Sequence, residues 1–338
     1  MISELVKSFQ PYRVVEGDYK IWLDKNESPF DLPLFIKEEA FDELGELNFN
    51  RYPSIDSMPL RERIAEHYNL SPVNVAVGNG SDELISYLLK LFDGEYIITT
   101  PPTFGMYTFY ARLDGIPVVE VPLKDDFTID GESIAEKAKN AKLIFIASPN
   151  NPTGNLQPRE EIIKVLETGK PVVVDEAYAE FAGESLVGML DDYPNLIILR
   201  TFSKAYGLAG IRVGYMLASE TFIDALYRIL PPFPVGLPAM VIAEKALEYR
   251  DVMERRIRYI VEERERVRKA LGRLAYPSDA NFLLVNADAY EFLLERGIVV
   301  RRLSGWLAGH IRVTVGRRLE NNAFLEAIKE WIEGVGGI

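Results

Sequence analysis

The feature that most constrains the fold of this chain is an alternation of short β-rich runs with helical stretches between about residues 73 and 218. The predicted strands span residues 96–100, 118–121, 143–147, 172–174, 196–199 and 213–217. Strands that alternate with helices predict an α/β fold with a mainly parallel sheet covered by helices on both faces. Ligands of such sheets bind beyond the carboxyl ends of the strands, so polar residues that directly follow a strand are the candidate site residues.

The pattern changes after a proline-rich cluster at residues 231–234. A long charged amphipathic stretch, 238–274, is followed by short strand-like runs at 282–285, 299–301 and 311–315 and by a closing helical stretch. A chain of 338 residues is long for one hydrophobic core. We therefore predict a larger domain over residues 29–230, a smaller α+β domain over residues 231–338, and an N-terminal segment, 1–28, that joins them.

Composition and charge narrow the class of ligand. The balance of 38 Lys and Arg against 51 Asp and Glu gives a net charge of −13, which disfavours binding to nucleic acid or to an anionic membrane. The chain has no cysteine and two histidines, His67 and His310, so we expect no metal site. No uncharged apolar run approaches the ~20 residues of a membrane-spanning helix, and no signal-peptide pattern is present. We expect a cytoplasmic protein that binds small molecules.

A lysine, Lys204, lies in the small-residue stretch 201–212, directly after the predicted strand 196–199. Partial burial and the nearby charge of Arg212 would lower the pKa of its amine, which makes a lysine nucleophilic toward aldehydes. The alternative is a helix that begins with Ser203 as its cap and leaves the lysine in solvent. This stretch alone favours neither interpretation.

The segment Val-Gly-Asn-Gly-Ser-Asp-Glu at 77–83 connects an apolar run to a helical stretch at 84–92. Backbone N–H groups of Ser81 and Asp82 in the first turn of that helix are suited to hold a phosphate. The segment resembles half of a dinucleotide-binding motif, but Glu83 stands where the third glycine is needed, which weakens a nicotinamide-enzyme interpretation. An ordinary helix capped by Ser81 or Asp82 is the alternative.

Other polar and aromatic residues also follow predicted strands. Phe104 follows strand 96–100 and could stack on a planar ring, although a lone aromatic residue is more often part of a core. Asn150 and Asn151 lie in a rigid, proline-containing loop at 148–154. Asp175 ends an apolar strand, and a buried carboxylate needs a partner, which could be a protonated ring nitrogen. Tyr178 could then donate to an oxygen of the same ring; an Asp175 that caps the next helix is the alternative.

Taken together, these segments resemble the fold-type I pyridoxal-phosphate aminotransferases over nearly the whole chain. The most specific parts are three motifs in the order found in that family: Asn-Pro-Thr-Gly at 151–154, Asp-Glu-Ala-Tyr at 175–178, and Ser203-Lys204 followed by Arg212. The resemblance implies a large domain with a mainly parallel central sheet covered by helices, a smaller α+β domain, and pyridoxal 5′-phosphate as the cofactor.

The resemblance also implies a role for each motif residue. Lys204 would form the Schiff base with the cofactor aldehyde and move the proton in the reaction, and Asp175 would keep the pyridine nitrogen protonated. Tyr178 and Asn151 would hydrogen-bond to the ring hydroxyl oxygen, and Phe104, where the family more often has tyrosine, would stack on the ring. The residues implied at the cofactor phosphate are Ser81, Asp82, Ser203 and Arg212.

The Arg-Tyr-Pro sequence at 51–53 matches the family motif from which one subunit supplies a tyrosine to the phosphate site of the other. The resemblance therefore implies a homodimer with shared active sites, to which Tyr52 contributes. Tyr52 in a surface loop without a function is the alternative.

Within the fold-type I group, the chain most resembles the histidinol-phosphate aminotransferases. Arg312 matches the arginine that binds the acidic end of the substrate, and Arg301, Tyr12 and Asn26 match further substrate-binding residues, although Ser28 stands where that family usually has asparagine. Arginine accepts a carboxylate or a phosphate, as glutamate and a phosphate ester require in turn. The resemblance implies that histidinol phosphate and 2-oxoglutarate are converted to imidazole acetol phosphate and glutamate, a step of histidine biosynthesis.

Other functions remain open from the sequence. An aromatic or broad-specificity aminotransferase would use Arg312 for a carboxylate only, and a threonine-phosphate decarboxylase would share the phosphate-binding residues. A regulatory pyridoxal-phosphate-binding protein would carry an added DNA-binding domain, and no basic helical module precedes Tyr12. His310 could contact the imidazole ring of the substrate, but its spacing favours a structural role.

Overall fold

The strands form two sheets in the computed structural model, which describes residues 1–11 and 13–335. In chain order they are β1 (Ile21–Leu23), β2 (Val75–Gly78), β3 (Tyr96–Thr99), β4 (Val118–Glu120), β5 (Ala141–Ala147), β6 (Val172–Asp175), β7 (Leu196–Thr201), β8 (Gly214–Ala218), β9 (Phe282–Val285), β10 (Ile298–Arg302) and β11 (Ile311–Thr314). The larger sheet has the order β2-β8-β7-β6-β5-β3-β4. Strand β8 runs antiparallel to β2 and β7, and the other neighbouring strands are parallel.

Helices connect the strands and pack against both sheets. They are α1 (Glu4–Ser8), α2 (Leu34–Gly45), α3 (Met58–Tyr68), α4 (Ser81–Leu91), α5 (Met106–Leu113), α6 (Gly131–Lys137), α7 (Arg159–Leu166), α8 (Ala179–Ala182), α9 (Glu220–Tyr227), α10 (Leu237–Glu248), α11 (Arg250–Leu271), α12 (Tyr290–Glu295) and α13 (Arg318–Val335). Among the residues described, no helix combines the length and the apolar composition that crossing a bilayer requires.

The larger sheet is buried on both faces because successive side chains of a strand point to opposite sides. Val172 and Val174 of β6 belong to a core cluster with residues of α3, α7 and α10, whereas Val173 belongs to a cluster with residues of α4, α5 and α9. All three valines are fully buried. This two-sided burial explains why the predicted strands read as continuous apolar runs.

The smaller sheet has the order β1-β10-β11-β9 and its own apolar cluster, to which α12 and α13 contribute. Strand β1 pairs in parallel with β10, while β11 runs antiparallel to both β10 and β9. Met240 of α10 and Ile260 of α11 pack into the core of the larger sheet instead. The domain limits at 28/29 and 230/231 stay a prediction.

The predicted α/β fold with a mainly parallel central sheet is confirmed. The six strands predicted between residues 73 and 218 are present, with ends that differ by one or two residues. The stretch 238–274 is divided into α10 and α11 at Tyr249, whose backbone leaves the helical region. Strand β1 was not predicted, because three residues are too few to show a pattern.

Candidate active site

A cavity of about 400 Å³ lies beyond the carboxyl ends of β5, β6 and β7. Such strand ends are where an α/β sheet is expected to bind ligands. Most of the site residues predicted from the sequence line this cavity: Asn26, Ser81, Asp82, Phe104, Asn151, Asp175, Tyr178, Ser203, Lys204, Arg212, Arg301 and Arg312. The fold thus brings together side chains that are up to 286 residues apart in the chain (Asn26 to Arg312; 312 − 26).

Lys204 follows β7 in a turn, where it is half-buried and its Nζ donates a hydrogen bond to the carbonyl oxygen of Lys25 (2.9 Å). No helix begins at Ser203, so the interpretation of a solvated lysine after a helix cap is wrong. Burial lowers the pKa of the Lys204 amine to about 8, and the positive charges of Arg312 and Arg212 act in the same direction. Arg312 has the larger effect, which corrects the sequence-based emphasis on Arg212.

Asp175 is the last residue of β6 and is buried, with two hydrogen-bond donors from the protein. Tyr107 Oη donates to Oδ2 (2.6 Å), and the backbone N–H of Ala177 donates to Oδ1 (3.1 Å). Burial raises the pKa of the Asp175 carboxyl group to about 6, against the opposing effect of these hydrogen bonds. Asp175 does not cap the next helix, because α8 begins after Tyr178. Tyr107 was not among the site residues predicted from the sequence.

The two asparagines of the loop at 148–154 have different environments. Asn151 lines the cavity, and its Oδ1 accepts a hydrogen bond from Arg312 Nη1 (2.7 Å). Asn150 is buried, and its Nδ2 donates to the carbonyl oxygen of Pro102 (2.9 Å) while its Oδ1 accepts from Thr103 Oγ1 (2.8 Å). Asn150 therefore fixes the loop beside β5 to the loop beside β3, and Asn151 is the amide available to the cavity.

The N-terminal segment after β1 also contacts the cavity. Asn26 is buried with a positive φ of 55°, and its Nδ2 donates to Tyr178 Oη (3.0 Å). The backbone N–H of Asn26 donates to Thr314 Oγ1 of β11 (2.9 Å). Arg312 Nη2 donates to the carbonyl oxygen of Asp24 (2.6 Å). Burial raises the pKa of Tyr178, so this tyrosine stays a neutral hydrogen-bonding group.

A cationic cradle lies at the first turn of α4. The helix begins at Ser81 after Gly80, and no side chain caps it, so the alternative in which Ser81 or Asp82 is the cap is wrong. Arg212 Nη2 donates to Asp82 Oδ2 and Arg212 Nη1 donates to Ser203 Oγ, each at 3.4 Å. Free helix N–H groups beside a guanidinium group are suited to a phosphate.

Two glycines keep this cradle open. A Cβ atom on Gly80, whose φ is +79°, would lie 2.6 Å from Arg212 Nη2. A Cβ atom on Gly214 of β8 would lie 2.2 Å from the backbone nitrogen of Ser81. The close approach of β8 to the start of α4 therefore requires glycine at position 214, whereas at position 80 the positive φ and the nearby Arg212 side chain favour glycine.

Arg301 and Arg312 form a second cationic group. They are direct partners in the antiparallel pairing of β10 with β11, and both line the cavity. Like charges on directly opposite residues of two strands destabilise a sheet. Two adjacent guanidinium groups are, however, well suited to bind one phosphate or carboxylate. The arrangement favours an anionic ligand at this end of the cavity.

Two further residues considered from the sequence, Tyr52 and His310, are not part of the cavity lining. Tyr52 is exposed (81%) and its ring stacks on that of Phe233, with 4.4 Å between the ring centroids. His310 lies near Tyr276 (Nε2 to Oη 3.4 Å), which agrees with a structural role. Tyr12 lies outside the described residues. Over the part of the chain described, no cluster of three His, Cys, Asp or Glu side chains is arranged to hold a metal ion.

Comparison with known proteins gives a consistent result over the full length. The model of the family "Aminotransferase class I and II" matches residues 18–328. A histidinol-phosphate aminotransferase of Thermococcus gammatolerans is 69% identical, with 100% of both chains covered, and one of Thermococcus kodakarensis is 68% identical, with 99% of this chain and 100% of the relative covered. The crystal structure of histidinol-phosphate aminotransferase from Sinorhizobium meliloti in complex with pyridoxal-5′-phosphate superposes with a TM-score of 0.88 at 26% identity, covering 99% of this chain and 98% of that one.

Proposed function

Since this chain belongs to the class I and II aminotransferases, we propose that it is a pyridoxal-phosphate-dependent enzyme that transfers the amino group of histidinol phosphate to 2-oxoglutarate. The products are imidazole acetol phosphate and glutamate, and the reaction is a step of histidine biosynthesis. Relatives at 68–69% identity over the full length carry the name of this activity, which supports the proposal. We propose a cytoplasmic location for this enzyme.

The residues of the cavity fit the proposed cofactor. The uncapped first turn of α4 and Arg212 form a cradle for a phosphate, and a Cβ atom on Gly80 would obstruct it. Asp175 is a buried carboxyl group, and a buried carboxylate needs a partner such as a protonated ring nitrogen of the cofactor. Phe104, at the end of the loop after β3, presents an aromatic ring to the same cavity. Ser203 completes the cradle through its Oγ.

When bound, pyridoxal phosphate withdraws electrons from the α-carbon of the amino donor, which makes the α-hydrogen acidic. The ionised Asp175 would hold the ring nitrogen in its charged form. Lys204 Nζ, with its pKa lowered to about 8 by burial, would take the α-hydrogen as a proton and deliver it to the C4′ carbon of the cofactor. Tyr178 and Asn151 would direct hydrogen bonds at the ring oxygen and fix the ring against rotation.

The observation that carries the choice of substrate is the Arg301–Arg312 pair on facing strands of the cavity wall. Two guanidinium groups match a phosphate dianion better than the single charge of a carboxylate. Asn26 and Tyr12 are proposed to contact the same substrate from the N-terminal segment. The pair would also bind the distal carboxylate of 2-oxoglutarate, and of the glutamate formed from it, in the second half of the reaction.

A substrate panel tests the proposal. Purified protein with pyridoxal phosphate and 2-oxoglutarate would be offered histidinol phosphate, histidinol, phenylalanine or threonine phosphate. We expect glutamate to form most efficiently from histidinol phosphate, with a large loss for histidinol because it lacks the phosphate. Preferred use of phenylalanine would contradict the substrate assignment, and release of carbon dioxide from threonine phosphate would indicate a decarboxylase instead.

We also propose that the enzyme is a homodimer in which Tyr52 reaches the phosphate site of the partner subunit. Apolar side chains are exposed close to Tyr52 in the sequence, which is unusual for a surface that stays in water. Besides Tyr52 itself, the large apolar residues between positions 34 and 55 with exposed fractions above 60% are Leu34, Phe41, Phe49 and Ile55. A second copy of this chain that covers them would also receive Tyr52, which lies outside its own cavity.

Mixing two inactive variants tests the shared site. In a dimer of one Tyr52→Ala subunit and one Lys204→Ala subunit, one site carries both changes and the other carries neither. We expect partial recovery of activity after subunit exchange, which native mass spectrometry of differently tagged subunits would verify. Complete exchange without recovery would argue against a Tyr52 shared between subunits.

A further inference from the structure

A buried tyrosine that the proposed function leaves without a role contacts the Asp175 carboxyl group. Tyr107 lies at the start of α5, and its Oη donates to Asp175 Oδ2 (2.6 Å). Its ring is fully buried and stacks on that of Phe145, with 4.6 Å between the centroids and 9° between the planes. Phe104 packs against the ring edge-on at 5.5 Å. The aromatic contacts fix the ring, so the hydroxyl group is held against the carboxylate.

We propose that the Tyr107 hydroxyl group keeps the Asp175 carboxyl group ionised and correctly oriented for the ring nitrogen of the cofactor. Tyr107 is then a positioning residue, since it acts through Asp175. This inference rests on the proposed use of pyridoxal phosphate. It concerns a residue of α5 that does not belong to the three sequence motifs.

The electrostatic environment explains why such a donor is needed. Burial raises the pKa of Asp175 to about 6, and the hydrogen bond from Tyr107 is the largest influence that opposes this. Burial also raises the pKa of Tyr107 well above its usual value, so its hydroxyl group keeps its proton and acts as a donor. The other ionisable groups that face Asp175 are Asp82 of α4, Glu176 beside it in the chain, and Tyr178 and Lys204 in the cavity wall.

Asp82 and Glu176 raise the pKa of Asp175 further, because both are acidic. Without the Tyr107 hydroxyl group, Asp175 would therefore hold its proton at a higher pH. A protonated Asp175 has no negative charge to offer a pyridinium nitrogen. The loss would thus depend on pH, which a purely structural role of Tyr107 would not cause.

The experiment compares cofactor binding by the wild-type chain and by Tyr107→Phe. The dissociation constant for pyridoxal phosphate would be measured by fluorescence from pH 5 to pH 9. A hydrogen bond to a charged group is worth one to two pKa units, so we expect the acidic limb of the binding curve to move up by about one to two pH units. Affinity should fall about two- to tenfold near pH 7 and approach that of the wild type near pH 9. The titrations of the cofactor itself are common to both proteins.

Two control variants separate this effect from a loss of stability. Tyr215→Phe also removes a buried hydroxyl group, one that is hydrogen-bonded to Tyr68 Oη (2.7 Å), and it should leave the pH profile unchanged. Asp175→Asn has no carboxyl group to titrate, so adding Tyr107→Phe to it should not change the pH dependence further. Thermal unfolding of each variant would be recorded in parallel.

The outcomes distinguish the inference from the proposed function. A wild-type chain that does not bind pyridoxal phosphate would contradict the proposed function itself. If the wild type binds pyridoxal phosphate and the pH profile of Tyr107→Phe superimposes on that of the wild type, the inference alone is contradicted. A loss of affinity that is equal at every pH would also contradict it. If Tyr107→Phe does not fold, 3-fluorotyrosine placed at position 107 keeps the shape and strengthens the donor. The acidic limb should then move to lower pH, and no movement would count against the inference.

Discussion

The lowered pKa of Lys204 gives a prediction that can be tested without cofactor or substrate. Burial in the cavity is the main cause, and the charge of Arg312 adds to it, so the pKa of the amine falls from 10.5 to about 8. At pH 7 the neutral fraction of the amine then rises from about 0.03% to about 9%, a roughly 300-fold increase. Because only the neutral amine attacks an aldehyde, this fraction sets the rate at which the cofactor attaches.

Competitive acetylation measures this pKa directly. Trace acetic anhydride would be added to the cofactor-free protein between pH 6 and pH 11, and the acetylated fraction of each lysine would be followed by mass spectrometry. We expect an inflection near pH 8 for Lys204. Exposed Lys164, whose pKa is raised by its hydrogen bond to Glu161, is the internal reference, and its inflection should lie at a clearly higher pH than that of Lys204.

Arg312→Gln extends the test to the second cause. Removal of this positive charge should move the Lys204 inflection to higher pH, since Arg312 disfavours the protonated amine. The side-chain amide of glutamine can still donate a hydrogen bond to Asn151 or to the Asp24 carbonyl group, the two partners of Arg312, which limits structural damage. A wild-type inflection of Lys204 at or above that of Lys164 would refute the reasoning, because it would mean that burial does not destabilise the ammonium form.

Three other predictions concern neighbouring groups. Because the pKa of Asp175 is raised to about 6, the folded chain holds a proton that the unfolded chain has released. The cofactor-free wild type should therefore lose about 2 kcal/mol of stability relative to Asp175→Asn as pH rises from 4 to 6, as measured by urea unfolding at each pH. Gly80→Ala and Gly169→Ala both place alanine at a positive φ and should cost about 1–2 kcal/mol of stability. Only Gly80→Ala meets Arg212 and should weaken pyridoxal phosphate binding, as measured by the dissociation constant, since nothing lies within 4 Å at Gly169. Arg301→Gln should raise the KM for histidinol phosphate about tenfold or more in steady-state assays, the loss expected for a hydrogen bond to a charged group.

Much of the site could be predicted because its residues follow strands of a parallel sheet. Asp175 ends β6, and Lys204 follows the neighbouring β7, so a shared direction of the two strands brings both residues to one edge. The sequence showed each of them beside an apolar run. Their proximity then follows from the sheet and requires no knowledge of side-chain packing.

Tyr107 could not be predicted in the same way. It is one of 17 tyrosines and lies 68 residues before Asp175, and no local pattern connects the two. Its position three residues after Phe104, in the helix that follows a strand-end loop, is the signal that was available. The Arg301–Arg312 pairing depends on the register of two strands, and the sequence contains no information on register until the pairing of β10 with β11 is known.

Of the elements that were not predicted from the sequence, strand β1 has the greatest effect on the site. It pairs with β10 of the smaller sheet, and the segment that follows it crosses to groups of the larger sheet. Lys204 Nζ donates to the carbonyl oxygen of Lys25, and Tyr178 Oη accepts from Asn26 Nδ2. The smaller sheet and the amine of Lys204 are therefore linked through the three consecutive residues from Leu23, the end of β1, to Lys25. A substitution that weakens the pairing of β1 with β10 should disturb Lys204 although it lies about 180 residues away in the chain, because it releases the carbonyl group that holds the amine.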